Sequence, residues 1–222
     1  INATAAGLID SLSKNKSCFG KLFIGKNGIA GALNEELIDV SKENPKELKK
    51  LLHTPGGAFG SCRIKLKDPV KNKKEFQRIL DVFKAHNIGY FFYNGGGDSQ
   101  DTTLKIANYC KDNNYDLICI GLPKTIDNDL PVTDNCPGFG SVAKYIAIST
   151  HEASLDVESM ANSSTKVFLL EVMGRHAGWL AASAGIIKKG NNTPPHIILL
   201  PEVTFNIKNF LSEVKKTVIN NG

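Results

Sequence analysis

From residue 88 onward the chain carries four short segments that are apolar at consecutive positions instead of at alternate ones. They are rich in β-branched and aromatic residues, and this pattern is typical of strands buried on both faces, as in a parallel sheet that helices cover. We therefore predict strands at 88–94, 116–122, 166–173 and 196–203.

Stretches with apolar residues at helical spacing lie between these strands and on either side of them. Strands that alternate with helices in this way predict an α/β fold, with a doubly wound, mostly parallel sheet and helices on both faces. Earlier in the chain, "KLFIGKNG" predicts a strand that runs into a turn, and "TPGGAFGSCR" predicts a glycine-rich loop that ends at Arg63. The predicted helices span 3–12, 76–83, 99–113, 138–161, 178–188 and 210–218.

Composition narrows the possible classes of protein. The 222 residues, 41% of them hydrophobic, can bury a sizeable core. The net charge of +5 is small, and lysine runs such as 65–74 lack the interleaved aromatic residues that stack on bases, so we predict no nucleic-acid partner. The sequence has no long apolar run and no signal-peptide pattern, so we predict neither a membrane span nor secretion. Five cysteines without a CxxC pair are typical of free thiols in the reducing cytoplasm.

Unusual polar residues follow each of the four predicted strands. They lie in Gly95–Ser99, in "PKTIDND", in "MGRHAG" and at Glu202. The ligands of an open parallel sheet bind beyond the carboxyl ends of its strands. We therefore expect these four positions to form one site.

The first of these positions, "GGGDS", is suited to phosphate binding. Gly95, Gly96 and Gly97 permit close approach of the backbone, and the N–H groups that start the following helix can face an anion. An ordinary turn with Asp98 or Ser99 as the helix cap is the alternative. The pattern differs from the GxGxxG fingerprint of dinucleotide-binding proteins, which disfavours an oxidoreductase.

The second position places Asp127 and Asp129 beside Lys124. Near a phosphate, one carboxylate can take a hydroxyl proton as general base while another holds Mg²⁺, and a lysine supplies positive charge. The alternative is an Asx-type turn that Pro123 and Pro131 stiffen.

At the third and fourth positions, Arg175 and Glu202 are the candidates for binding a substrate. The planar guanidinium of Arg175 suits a phosphate or a carboxylate, and a glutamate suits sugar hydroxyls. His176 is better explained as a residue at the start of a helix.

The segments "GGAFGSCR", "GGGDS", "PKTIDND", "EVMGRHAGW" and "PEV" together resemble the phosphofructokinase family, in the same order and with matching spacing. The resemblance covers nearly the whole chain, and the combination is far more specific than any single motif.

The resemblance implies a role for each matching residue. Asp127 would deprotonate the sugar 1-hydroxyl, and Thr125 and Asp129 beside it would contact substrate phosphates or the metal. Arg63 would reach the phosphoryl group that is transferred. The fructose 6-phosphate pocket would be lined by Met173, Gly174, Arg175 and Glu202.

At two positions the chain differs from the ATP-using members of the family and resembles its diphosphate-dependent branch. Where ATP-using members read Gly-Gly-Asp-Gly-Ser, this chain has Gly97 and Asp98 in the third and fourth places, and Lys124 stands where those members have glycine. A carboxylate at 98 would repel the α-phosphate of ATP, which diphosphate lacks. Lys124 would stabilise the leaving phosphate. Asp98 and Asp129 are the candidate ligands of Mg²⁺.

The sequence thus predicts a Mg²⁺-dependent enzyme that transfers a phosphoryl group from diphosphate to fructose 6-phosphate, as a homo-oligomer, dimer or tetramer. An ATP-dependent phosphofructokinase and a non-catalytic regulatory subunit that binds sugar phosphate are the alternatives. The resemblance also implies a donor- and sugar-phosphate-binding domain over 1–203 and the start of a second domain over 204–222, in a fragment that lacks the first phosphate loop and most of the second domain.

Overall fold

The computed structural model describes residues 1–190 and 192–221, without the side chain of residue 221. Short 3₁₀ helices cover Val40–Lys42 and Ala184–Ile187. The strands are β1 (Phe23–Gly25), β2 (Leu37–Asp39), β3 (Tyr90–Gly95) and β4 (Ile118–Pro123). The α-helices are α1 (Asn2–Lys14), α2 (Ile29–Asn34), α3 (Pro45–Lys50), α4 (Lys73–Ala85), α5 (Gly97–Asp112), α6 (Phe139–Met160), α7 (Trp179–Ser183) and α8 (Ile207–Asn221).

The chain forms two compact units, one over Ile1–Lys124 and one from Thr125 onward. The predicted domain boundary after residue 203 stays a prediction. None of the helices that the structure describes is long and apolar enough to cross a membrane.

The first unit contains the parallel strand pair that the sequence predicts. Strands β3 and β4 pair in parallel, in a register that sets Tyr90 opposite Ile118 and Gly95 opposite Pro123. Parallel neighbours require a crossover connection, and α5 provides it by packing on both strands. The α/β class is therefore confirmed. Strands β1 and β2 form a separate antiparallel pair, of which only the first strand was predicted.

The core of the first unit forms around α4. The predicted apolar stripe of this helix, which includes Phe76 and Leu80, is buried against Leu66, Ile106 and Cys110. Full burial of such a side chain contributes about 1.5–3 kcal/mol relative to exposure, so these contacts are a main source of the unit's stability. Burial also raises the pKa of the Cys110 thiol to about 11.

The second unit has a smaller core, formed by Ile146 of α6 with Leu180 and Ala184. Two residues from loops, Ile126 and Val172, pack against this cluster. They precede Asp127 and Met173 in the chain, so the loops that carry these two site residues are anchored in one core.

The predicted strands at 166–173 and 196–203 are wrong. Within the described ranges neither segment pairs with a strand. Their apolar side chains are exposed, as Leu169 (75%) and Leu199 (47%) illustrate. A continuous apolar pattern indicates that a segment fits a sheet interior, but a strand also needs a neighbour that accepts and donates its ladder hydrogen bonds. The pattern carries no information about that neighbour.

Leu66 and Leu104 offer a matched test of the first core. Leu66 is 1% exposed and Leu104, on the outer face of α5, is 62% exposed. Leu66→Ala should lower the free energy of unfolding by about 2–5 kcal/mol, because it leaves a cavity beside Phe76. Leu104→Ala should change it by less than about 0.5 kcal/mol. Urea unfolding measures both, and equal effects would contradict the described core.

Candidate active site

The glycine-rich turn after β3 is fixed next to Lys124. Gly95 ends the strand, and its carbonyl oxygen accepts hydrogen bonds from the backbone N–H of Lys124 (2.9 Å) and from Nε2 of Gln100 (3.0 Å). The expectation that "GGGDS" and Lys124 lie together is therefore met within the first unit. Lys124 itself is exposed.

The N-terminus of α5 is open to an anion. Gly96 is the N-cap residue, and no side chain that the structure describes caps the helix. The alternative in which Asp98 or Ser99 caps a plain turn is thus excluded for this conformation, because both lie inside the first turn. The first N–H groups of a helix lack intrahelical partners and carry the positive end of its dipole, so this turn has the features of a phosphate-binding loop.

Gly95 and Gly97 differ in the space around them. A Cβ atom on Gly95 would lie 2.0 Å from Oγ of Ser99, whereas a Cβ on Gly97 would meet no atom within 4 Å. Glycine at 95 is therefore required by packing in the free protein. Glycine at 97 is not, which is consistent with a ligand that approaches the backbone there.

Asp98 has a partner that sequence reasoning missed. Its Oδ1 lies 2.6 Å from Nζ of Lys65, and the two side chains are 70% and 50% exposed. The hydrogen bond to Asp98 raises the pKa of Lys65 above its usual value. The sequence presented Lys65 only as the first residue of a lysine run, and no local signal distinguishes it. Arg63, two residues earlier, is exposed and makes no hydrogen bond or ion pair within the described part of the chain.

Two asparagines also escaped the sequence analysis. Nδ2 of Asn2 donates to the carbonyl of Thr54 (2.9 Å), and its Oδ1 accepts from the N–H of Ala58 (2.7 Å). Nδ2 of Asn94 donates to the carbonyl of Ile1 (3.3 Å), and its Oδ1 is buried without a partner among the described residues. The start of the chain, the glycine-rich loop before Arg63 and the end of β3 therefore converge.

In the second unit, Thr125 and Asn128 hold the "TIDND" loop. Oγ1 of Thr125 accepts from the N–H of Asp127 (3.1 Å) and donates to Oδ1 of Asp129 (3.3 Å). Asn128 adopts a left-handed conformation (φ 57°), and its buried Oδ1 accepts from the N–H of Cys136 (2.8 Å). The threonine and the asparagine thus hold the turn, and the carboxylate of Asp127 takes no part in these hydrogen bonds.

Of the candidate residues in this unit, Asp127 has the environment that most clearly indicates a chemical role. Its Oδ1 is buried and has no hydrogen-bond partner among the described residues. An unpartnered buried carboxylate oxygen costs free energy, and native structures rarely keep one without a reason. A substrate hydroxyl that donates to this oxygen would remove that cost, which fits a general base.

The "MGRHAG" segment turns sharply after Val172. Gly174 has φ +115°, and a Cβ atom there would lie 2.3 Å from the carbonyl oxygen of Ala177, so glycine is required. Met173 is 64% exposed, and Arg175 is exposed. The guanidinium of Arg175 makes no hydrogen bond or ion pair with the residues that the structure describes, and it is available for an anionic ligand.

Glu202 contacts the residue before α7. Its Oε1 accepts from the N–H of Gly178 (2.7 Å), where a Cβ atom would collide with Oε2. This carboxylate borders a cavity of ≈ 210 Å³, and the indole of Trp179 also lines it. Trp179 was expected only as a helix residue. An aromatic face with a carboxylate is a suitable surface for a sugar.

A protein-only metal site is absent from the described residues, since no three His, Cys, Asp or Glu side chains gather at a suitable distance. Mg²⁺ is usually held by one or two carboxylates together with substrate phosphates. Asp98 and Asp129 are both exposed and offer such oxygens.

The family model described as phosphofructokinase matches residues 1–222. The chain belongs to the phosphofructokinase family. Two relatives are named pyrophosphate–fructose 6-phosphate 1-phosphotransferase: one from Halomonas elongata, 54% identical over 98% of this chain and 52% of the relative, and one from Xanthomonas campestris, 55% identical over 98% and 51%.

A solved structure of a pyrophosphate-dependent phosphofructokinase from Marinobacter aquaeolei is also similar, with a TM-score of 0.90 and 56% identity. It covers all of this chain, and the chain covers 54% of it. The phosphofructokinase fold is therefore confirmed, and the chain spans about half the length of the relatives that it matches.

Two alanine substitutions separate the folding role of the glycine-rich turn from its role in binding. Gly95→Ala should lower the free energy of unfolding by about 1–3 kcal/mol, because the new Cβ displaces Ser99. Gly97→Ala has free space and should leave that energy within about 0.5 kcal/mol. Chemical denaturation compares the two variants, and a Gly97→Ala protein as unstable as Gly95→Ala would contradict the described turn.

Proposed function

We propose that the intact protein is a diphosphate-dependent 6-phosphofructokinase, which moves a phosphoryl group reversibly from diphosphate to the 1-hydroxyl of fructose 6-phosphate. The observation that carries the proposal is the combination of Asp98 and Lys124 around the open N-terminus of α5. More than half of the residues are identical to those of proteins named for this reaction, which supports the same assignment.

The reaction uses each candidate residue in turn. Asp127 accepts the proton of the 1-hydroxyl as the sugar oxygen forms a bond to phosphorus, and the bridging P–O bond of diphosphate breaks. The released phosphate carries the additional negative charge away, and Lys124 and the N–H groups of Gly96 and Gly97 stabilise it. Arg63 contacts the transferred group.

The sugar phosphate is held by the second unit in this proposal. Arg175 binds the 6-phosphate, and Met173 and Gly174 line the same pocket. Glu202 accepts hydrogen bonds from the sugar hydroxyls through Oε2, since Oε1 already accepts from Gly178. Thr125 and Asp129 contact substrate phosphates or the metal.

Magnesium fits the donor set as the required metal. When bound, Mg²⁺ offsets the charge on the oxygens of the transferred phosphoryl group. Asp98 and Asp129 are each a candidate residue that would hold the metal. We further propose a homo-oligomer in the cytoplasm, dimer or tetramer; the five thiols, none of which forms a disulfide among the described residues, are consistent with that compartment.

ATP as donor is the second candidate, and one observation favours it. Lys65 pairs with Asp98 and reduces the repulsion that this carboxylate would exert on an α-phosphate. A relative from Mycobacterium bovis named ATP-dependent 6-phosphofructokinase is 30% identical over 89% of this chain and 52% of the relative. The regulatory-subunit alternative is disfavoured because Asp127 is present with an unpartnered oxygen.

Replacement of the base tests the catalytic assignment. Asp127→Ala in the intact enzyme should lower kcat by about 10²-fold or more, because proton transfer loses its acceptor. Stability should not fall, since the variant removes an unpartnered buried oxygen. The exposed Asp156 of α6 provides the control, and Asp156→Ala should keep full activity. An active Asp127→Ala enzyme would remove Asp127 from the mechanism.

A coupled assay with diphosphate or ATP at equal Mg²⁺ tests the donor. We expect kcat/KM to favour diphosphate by about 10²-fold, which corresponds to about 2.7 kcal/mol of repulsion between Asp98 and the α-phosphate. Asp98→Gly should raise the use of ATP, whereas Lys124→Gly should chiefly lower kcat with diphosphate. Faster turnover with ATP in the unmodified enzyme would overturn the proposal.

A further inference from the structure

The segment that carries Arg63 is attached to α5 at three points. Leu66 is buried in the first core together with Ile106 of the helix. Nζ of Lys105 donates to the carbonyl oxygen of Lys67 at 2.5 Å. Nζ of Lys65 lies 2.6 Å from Oδ1 of Asp98, in the first turn of the helix.

The location of the ion pair between Lys65 and Asp98 indicates that its main role is not to stabilise the fold. Both side chains are at least half exposed, and exposed pairs contribute little to the free energy of folding. Leu66 and Lys105 already attach the segment. The pair instead joins the residue two positions after Arg63 to the turn that follows the three glycines.

We propose that Lys65 is a positioning residue for the phosphoryl donor, which acts through Asp98 and sets both the direction of that carboxylate and the placement of Arg63. The inference rests on the proposed function. Lys65 remains on Asp98 when diphosphate binds and does not contact the diphosphate itself. Its ammonium group fixes the direction of the carboxylate and offsets its charge through Oδ1, so that the donor meets N–H groups in the glycine-rich turn beside a carboxylate that is already paired.

A small displacement of the segment is sufficient to reduce turnover. Catalytic groups must lie close to their productive geometry, and a misplacement of about 1 Å can lower a rate by about 10²-fold. Loss of the ion pair leaves the attachments of Leu66 and Lys67 in place, so we expect a loss smaller than this, near tenfold.

A double-mutant cycle in the intact enzyme tests the proposal with diphosphate as the donor. Lys65→Met should lower kcat/KM for diphosphate about tenfold and leave the KM of fructose 6-phosphate within twofold. In the Asp98→Asn background the same substitution should change kcat/KM less than twofold, because its partner is already lost. Lys65→Arg, which keeps the charge and the hydrogen bond, should restore most of the activity.

Lys50→Met is the matched control, since Lys50 forms a similar exposed ion pair with Glu47 at 2.7 Å and should change no kinetic constant. Hydrogen exchange gives a second readout: the amides of 63–65 should exchange faster in Lys65→Met and in Asp98→Asn, and unfolding in urea should stay the same.

Three results would overturn the proposal. An unchanged kcat/KM in Lys65→Met would deny Lys65 any role. A tenfold loss that persists in the Asp98→Asn background would show that Lys65 contacts the donor directly. An equal rise in the KM of fructose 6-phosphate would indicate a general disturbance. Failure of the proposed function is distinguishable, because the unmodified enzyme would then lack activity with diphosphate before any variant is compared.

Discussion

The parallel pairing of β3 with β4 is the constraint on which the donor residues depend. Because parallel strands end at the same edge of a sheet, the register that sets Gly95 opposite Pro123 also sets the glycine-rich turn beside Lys124. The hydrogen bond from the N–H of Lys124 to the carbonyl of Gly95 extends this pairing by one residue beyond the strands. The next residue, Thr125, begins the loop that holds Asp127, so the residues proposed for the donor and for the acceptor follow each other directly along the chain.

The candidate carboxylates of the two units differ in exposure and in hydrogen-bond partners. In the first unit Asp98 is exposed, and Lys65 is its cationic partner. In the second unit one oxygen of Asp127 is buried without a partner, while its neighbours Thr125 and Asn128 use their own polar atoms to build the turn. This contrast is consistent with the different roles that we propose for Asp98 and Asp127.

Local periodicity predicted six of the eight α-helices that the structure describes and the parallel strands β3 and β4, but it missed α2, α3 and β2. Prediction from sequence failed where the structure depends on a partner that is distant in the chain. The segment 166–173 has the composition of a buried strand, yet the described residues supply no neighbour for it. Lys65 looked like any residue of a basic run, and only the fold reveals that its partner lies 33 positions away. Motif chemistry proposed Arg175 and Glu202 as candidates, but it did not propose Trp179, which lines the same cavity as Glu202, because an aromatic residue at helical spacing normally indicates packing.

The hydrogen bonds around the glycine-rich turn join parts of the chain that are synthesised at very different times. The bond from Asn94 to Ile1 spans 93 positions, and that from Asn2 to Thr54 spans 52. Closing such long loops costs entropy before any contact is gained, so non-local contacts of this kind form slowly compared with helices. During translation α1 can form early, but the hydrogen bond between Ile1 and Asn94 cannot form until β3 has left the ribosome. We therefore expect the glycine-rich turn of the first unit to be assembled late in folding, after the helices that surround it.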